Sequence, residues 1–550
     1  MNQNFDYRNK RVLIVDDQRA FQIMLKTMLL NFGAKDVTHV GSAEDALKLC
    51  RHNTYDLLLV DYNLGSGLNG RQLFETLKMD NLLPIHTVFF LVTGDNSKAI
   101  VLSAIQMTPD DYLMKPFSQN ELNLRIQKAF NKKEALLPIY QAIKDDDFAQ
   151  AMEECDNAII YSARYRNFCR LFKAELLIEK EKYAEARTIL EEFIEDHPHT
   201  QAQLLLGRVY YLEKNYQQAI PLLSDIIKYN PMLLDGYDWL AHCFRDGGDS
   251  EKALQIVQRA IKHSHLSLER QGLLAELALD TNMNAIAKEA FFAILMQTKN
   301  TIHQAPQHLI NYVQAIILVA KNEEDKFKQG RLLQEISGLF HRSSQQHPYV
   351  EEDELLALEG YSLASIHNVK GNQVKAKHTL LKSNEAYLTE PEGTPEWLGP
   401  QLVNLLVELE EFEFAEKVQP YIQHSNVHSE KLLASISGEE DSKEVQFQHH
   451  NKLGIEAFTE GKLDVALQHF ETALSIAPLN TGAALNKVQV CIALLVKVER
   501  PWPEVTRKIA DTFTELENFP LSEQQAERKA ELRKEFNIQR MQEKKRANKM

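Results

Sequence analysis

Cysteine is scarce and scattered: five occur in 550 residues, at Cys50, Cys155, Cys169, Cys243 and Cys491. The number is odd and no two are spaced Cys-x-x-Cys, which disfavours a disulfide framework or a thiolate zinc site and suits reduced thiols in the cytoplasm. Glycine (21) and proline (17) are also few, so long helical stretches with few interruptions are expected. Long apolar runs are missing. The most apolar late stretch, Ala315 to Ala320, is far shorter than the roughly 20 residues that span a bilayer. The first ten residues have no apolar core and do not read as a signal peptide. Positive charge is in deficit, 62 basic against 77 acidic residues for a net −15, which disfavours a global grip on nucleic acid. With 44% apolar and 25% charged residues, the chain is neither fibrous nor a disordered tail. At roughly 150 residues per domain it has room for three or four.

In the first 130 residues, short apolar runs alternate with amphipathic segments. Val12–Val15 ends in Asp16-Asp17, Leu57–Val60 in Asp61, Val88–Val92 in Thr93, and Tyr112–Met114 in Lys115-Pro116, with a weaker run at Val37–Val40. Continuous apolar runs of this length fit strands buried on both faces. Five such units in about 120 residues predict an α/β doubly wound, five-stranded parallel sheet. Each polar residue falls at the carboxyl end of its strand, where open α/β sheets place ligands. Asp16, Asp17, Asp61, Thr93 and Lys115 are therefore predicted to converge. Three carboxylates together call for a hard cation, naturally Mg²⁺. A neighbouring ammonium and hydroxyl complete a set suited to placing a phosphoryl group on a carboxylate.

These residues, in this order, resemble the receiver domain of two-component response regulators, a flavodoxin-like fold. The resemblance implies Asp61 as phospho-acceptor; Asp16, Asp17, Asp61 and the Asn63 backbone carbonyl as Mg²⁺ ligands; and Thr93 and Lys115 as binders of the phosphoryl oxygens. It further implies a cis bond before Pro116 and a Thr93–Tyr112 switch. As partners it implies a sensor histidine kinase or phosphotransfer protein, and homodimerisation through the receiver. Catalysis is limited to the receiver's own phosphoryl transfer and dephosphorylation, so no further enzyme activity is expected. Two departures stand out: a longer, glycine-rich loop, Tyr62 to Gly70, and Thr108-Pro109 where a Gly-Ala pair is usual. The first also creates a G-x-G-x-x-G match, Gly65 to Gly70. Asp61 at the loop mouth would repel a pyrophosphate, so the match is read as a decoy. The P-loop reading fails for want of its Lys and Ser/Thr.

From residue 131 the pattern turns helical and repeats every 34 residues or so. Leu206-Gly207, Tyr210, Ala219, Leu223 and Pro231 return as Leu240-Ala241, Phe244, Ala253 and Val257, and far downstream as Leu453-Gly454, Ala457, Ala466, Phe470 and Pro478. This resembles the tetratricopeptide repeat, whose stacked helix pairs form an all-α superhelix with a concave binding surface. Repeats are placed near 132–166, 167–199, 200–233, 234–267, 268–301 and 447–480. The expected domains are a receiver at 8–130, repeats at 131–301, degenerate helical repeats at 302–446, a further repeat with flanking helices at 447–520, and a charged helical tail at 521–550. Loops are expected at Thr389–Pro395 and Ser435–Lys443. The tail, with Lys544-Lys-Arg546, is read as a solvated helix end. His197, His199, His449 and His450 are read as non-metal surface residues, and Cys155 as a packing residue.

The function expected is a phosphorelay response regulator whose repeats act on an unknown protein ligand, in the cytoplasm and without a membrane partner. The rivals are a constitutive adaptor whose receiver only docks, and a regulator touching nucleic acid through its basic tail.

Overall fold

A computed structural model describes residues 5–94, 108–196, 199–341, 349–422, 443–497, 502–519 and 521–547. The chain forms two compact units, Met1–Gln304 and Ala305–Met550.

The first unit opens with β1 (Arg11–Val15), α1 (Arg19–Asn31), β2 (Asp36–Val40), α2 (Ala43–His52), β3 (Leu57–Asp61), α3 (Gly70–Met79), β4 (Val88–Thr93) and β5 (Asp111–Met114). The strands pair in parallel in the order β2-β1-β3-β4-β5. β3 (LLLVD) and β4 (VFFLVT) are buried at every residue, because alternate side chains enter different layers. Leu58, Val60, Phe89 and Leu91 join Ala46, Leu73 and Phe74 of α2 and α3. Leu57, Leu59, Phe90 and Val92 join Leu25 and Leu29 of α1 on the opposite face.

The next helix, α4 (Gln119–Lys144), has 26 residues and runs through Pro138. Its first half places Leu122 and Ile126 against the sheet. Its second half places Leu136 and Ile139 against Cys155 and Cys169. The expected domain boundary at 130/131 therefore falls inside one helix shared by both cores. Helices then follow in pairs: α5 (Phe148–Tyr161), α6 (Arg166–Glu179), α7 (Tyr183–Asp196), α8 (Thr200–Leu212), α9 (Tyr216–Tyr229), α10 (Leu234–Asp246), α11 (Ser250–His263), α12 (Leu268–Asp280) and α13 (Asn284–Thr298). The turns inside the pairs carry one left-handed residue each, such as Glu181, Lys214, Gly248 and Asn282. Gly207 is glycine for a steric reason: a Cβ there would meet Leu223 Cδ2 at 2.6 Å.

In the second unit, α14 (Pro306–Lys321), α15 (Lys326–Leu339), α16 (Glu352–Val369) and α17 (Gln373–Ser383) occupy the segment expected to hold degenerate repeats. Ala364, Ala376 and Leu380 are fully buried. The expected break at Thr389–Pro395 contains a 3₁₀ turn, Pro391–Gly393. Helices α18 (Gly399–Glu408) and α19 (Phe412–Val418) come next, then the pair α20 (Lys443–Thr459) and α21 (Leu463–Ile476). Of the expected Ser435–Lys443 loop, residues 435–442 lie outside the described residues. The chain finishes in α22 (Thr481–Lys497), α23 (Trp502–Asn518) and α24 (Glu523–Ala547). The tail reading needs correction. Leu532 and Phe536 of α24 are buried in a cluster with Val488, Val505 and Ile509, so this helix is part of a core and not a solvated end. Among the described residues, no helix is long and apolar enough to cross a membrane.

Candidate phosphoryl-acceptor site

The connections after β1 and β3 leave adjacent strands, and they bring three carboxylates to the carboxyl edge of the sheet. Asp61 closes β3, while Asp16 and Asp17 follow β1. One oxygen of each lies within 4.8 Å of the others; among the described residues no other trio of His, Cys, Asp or Glu is so grouped. Asp16 and Asp61 are buried, whereas Asp17 is exposed. Lys115 follows β5, and its backbone N–H donates to the Thr93 carbonyl at 2.7 Å. Its ammonium bridges Asp16 Oδ2 at 2.7 Å and Asp61 Oδ2 at 2.8 Å, and lies 3.8 Å from the Phe21 ring centroid. The Lys115-Pro116 peptide is cis.

Three carboxylates face one ammonium, a formal excess of two negative charges. Burial raises the Asp61 carboxyl above its ordinary value. Lys115 and the Asn63 backbone N–H, which donates to it, pull the other way, and the Asp16 charge adds to the rise. Thr93, the last residue of β4, is fully buried. Tyr112, on β5, is partly buried against the cluster that holds Phe89 and Leu91.

The glycine-rich loop has structural causes. Gly65 and Gly67 adopt φ of +75° and +105°, conformations that side chains resist. A Cβ on Gly70 would sit 2.1 Å from the Asp61 carbonyl oxygen, so α3 starts pressed against the backbone of Asp61. Asn69 and Gln72 then close a capping box on α3. The loop's backbone requirements thus explain the G-x-G-x-x-G match without a nucleotide.

Sequence reasoning missed two sets of contacts. Buried Gln22 on α1 donates through Nε2 to the carbonyls of Asp16 and Val40, tying the turn after β1 to β2. Arg71, directly after Gly70, donates from Nη1 to the Leu266 carbonyl in the α11–α12 turn at 2.8 Å. One turn further along α3, Glu75 Oε2 faces His303 Nε2 at 3.4 Å. Neither partner is visible from local pattern. Of the histidines set aside, His199 caps α8 by accepting the Ala202 N–H, while His197 lies outside the described residues. His449 and His450 lie within α20, where His450 Nδ1 is 3.2 Å from His469 Nδ1. All five cysteines are free and buried. In α24, Arg528 is held by Asn486 and Gln489; the side chains of Lys544, Lys545 and Arg546 lie outside the described residues.

Comparison with known proteins agrees with both halves of this architecture. Residues 12–127 match the response regulator receiver domain family and residues 173–232 the tetratricopeptide repeat family. Transcriptional regulatory protein YvrH of Bacillus subtilis is 34% identical over 119 residues, 22% of this chain and 48% of that protein. DNA-binding response regulator MtrA of Mycolicibacterium smegmatis is 31% identical over 129 residues, 24% of this chain and 54% of that protein. Chemotaxis protein CheY of Pseudomonas aeruginosa is 26% identical over 122 residues, 22% of this chain and 97% of that protein. The chain thus spans about half the length of the first two relatives. It carries a receiver domain followed by tetratricopeptide repeats.

Proposed function

We propose that this chain is a cytoplasmic response regulator. Asp61 accepts a phosphoryl group from a histidine kinase or phosphotransfer protein, and the helical repeats deliver the output by contact with another protein. The observation that carries the reading is the grouping of Asp16, Asp17 and Asp61 with Lys115 bridging two of them. A carboxylate of Asp61 attacks phosphorus in line, the phosphorus–nitrogen bond of the donor phosphohistidine breaks, and an acyl phosphate forms. The two negative charges left after Lys115 is counted fit a divalent, oxygen-seeking ion such as Mg²⁺ on Asp16, Asp17 and Asp61, with the Asn63 carbonyl as further ligand. When bound, such an ion neutralises charge on the transferring group. Lys115 exchanges its bond to the Asp61 carboxylate for one to the phosphoryl group, and the Thr93 hydroxyl donates to another phosphoryl oxygen.

A path to the repeats starts at Asp61 itself. Its carbonyl abuts Gly70, and the next residue, Arg71, holds the α11–α12 turn. A shift of Asp61 on phosphorylation is therefore passed to the repeats through α3, in addition to the Thr93–Tyr112 movement. Both act as a population shift between packings.

Acetyl phosphate with Mg²⁺ tests the reading: intact-mass measurement should show one added phosphoryl group on the wild type and none on Asp61→Asn. An unmodified wild type would overturn it.

A further inference from the structure

Helices α9 and α11, the second members of neighbouring pairs, flank α10 and leave a groove of about 720 Å³ between them. Its floor is apolar: Tyr237 is buried, and Phe244 and Ile256 are partly exposed. Its walls are cationic, with Lys228 on α9 and Lys252, Arg259 and Lys262 on α11, all exposed. No Asp or Glu lines it. Lys252 pairs with Asp249 at 2.6 Å. Among the described residues, no carboxylate lies within 4.0 Å of Lys228, Arg259 or Lys262. The Arg259 guanidinium instead lies 5.5 Å from the Tyr237 ring centroid, at the edge of the floor. A carboxylate-free, four-cation groove stands out in a chain with a net charge of −15.

We propose that this groove docks an acidic amphipathic helix from a partner protein. The apolar floor calls for an apolar stripe on the occupant, and the cations call for carboxylates along its edges. Lys252 and Lys262 stand about 15 Å apart along α11 at 1.5 Å per residue, so the occupant presents carboxylates over about three helical turns. A nucleic acid would satisfy the cations but leave the apolar floor uncovered. Docking here requires no phosphorylation of Asp61, so it stands or falls separately from the response-regulator reading.

The probe is a fluorescein-labelled 18-residue peptide with leucines at helical i, i+3, i+4, i+7 spacing and glutamates beside them. Fluorescence anisotropy with the full chain at low salt should show saturable binding that weakens as salt rises. Arg259→Glu/Lys262→Glu should weaken it at least tenfold, and the Glu→Lys version of the peptide should bind the reversed variant better than the wild type. Both substituted side chains are exposed, so circular dichroism should be unchanged; Arg259→Ala/Lys262→Ala, milder in charge, should fall between. The proposal is overturned by no saturable binding to the wild type, by equal affinity for wild type and reversed variant, or by a 20-nucleotide oligothymidine that binds more tightly through the same residues.

Discussion

Lys115 joins two carboxylates that would otherwise repel, and this gives it two opposed effects. Lys115→Ala leaves Asp16 and Asp61 without their ammonium partner, so Mg²⁺, measured by isothermal titration, should bind more tightly. Phosphorylation by acetyl phosphate should nonetheless slow about a hundredfold, the usual scale for loss of one group that stabilises developing charge. A misfolded site would lose both. Asp61 also sets a pH dependence. Metal binds the ionised carboxylate, and burial raises the Asp61 carboxyl above its ordinary value. As pH falls, Asp61 takes up a proton earlier than an exposed aspartate would, so Mg²⁺ affinity should begin to drop at a higher pH than in a peptide carrying the same carboxylates, and binding should release protons. An affinity flat down to the ordinary aspartate range would contradict this. At Gly70 the constraint is steric: Gly70→Ala drives a methyl into the Asp61 carbonyl. It should cost about 3 kcal/mol in thermal or urea unfolding, while Gly272→Ala, inside α12 with helical backbone and open space around it, should cost less.

At the scale of elements, α3 links the acceptor to the repeats. Arg71→Ala removes the bond to the Leu266 carbonyl, and hydrogen exchange in the α11–α12 turn should speed up. If phosphorylation acts through α3, acetyl phosphate should change exchange at that same turn in the wild type and much less in Arg71→Ala. Much of the element pattern was legible in advance. β3 and β4 read as unbroken apolar runs because the sheet is covered on both faces, and the repeats showed themselves through small residues such as Gly207, which neighbouring side chains press against. What could not be read depends on partners remote in sequence. Arg71 and Leu266 are 195 positions apart, and nothing around either announces the other. Direct abutment of the last receiver helix on the first repeat was legible from the lack of glycine between Phe130 and Lys144. Its continuation through Pro138 as one helix was not, because a proline normally argues against helix continuation. Residues Leu532 and Phe536 were masked by the charges around them, since two apolar positions one turn apart on a highly charged helix still suffice to anchor it.

On the scale of the whole molecule, each of the two units has its own clusters of buried residues, and in each a charge network can be tested by substitution. In the first it is Lys115 with Asp16 and Asp61. In the second, Lys377 and Glu411 form an ion pair in which both side chains are 1% exposed. Lys377 also donates to the Leu479 carbonyl, and Glu411 accepts the Thr481 hydroxyl at 2.7 Å. The pair thereby joins α17, the turn before α19 and the start of α22. Removing one partner leaves a buried charge uncompensated, so Lys377→Met should cost about 3 kcal/mol, whereas Lys377→Met/Glu411→Leu should recover much of it. Separate cores should melt as separate transitions in calorimetry. If Asp61 is the acceptor proposed above, beryllofluoride with Mg²⁺ should bind only the folded site and raise the transition of the Met1–Gln304 unit by linkage. Lys377→Met should lower the other transition alone. A single transition that moves under both treatments would mean that the two units unfold as one cooperative body.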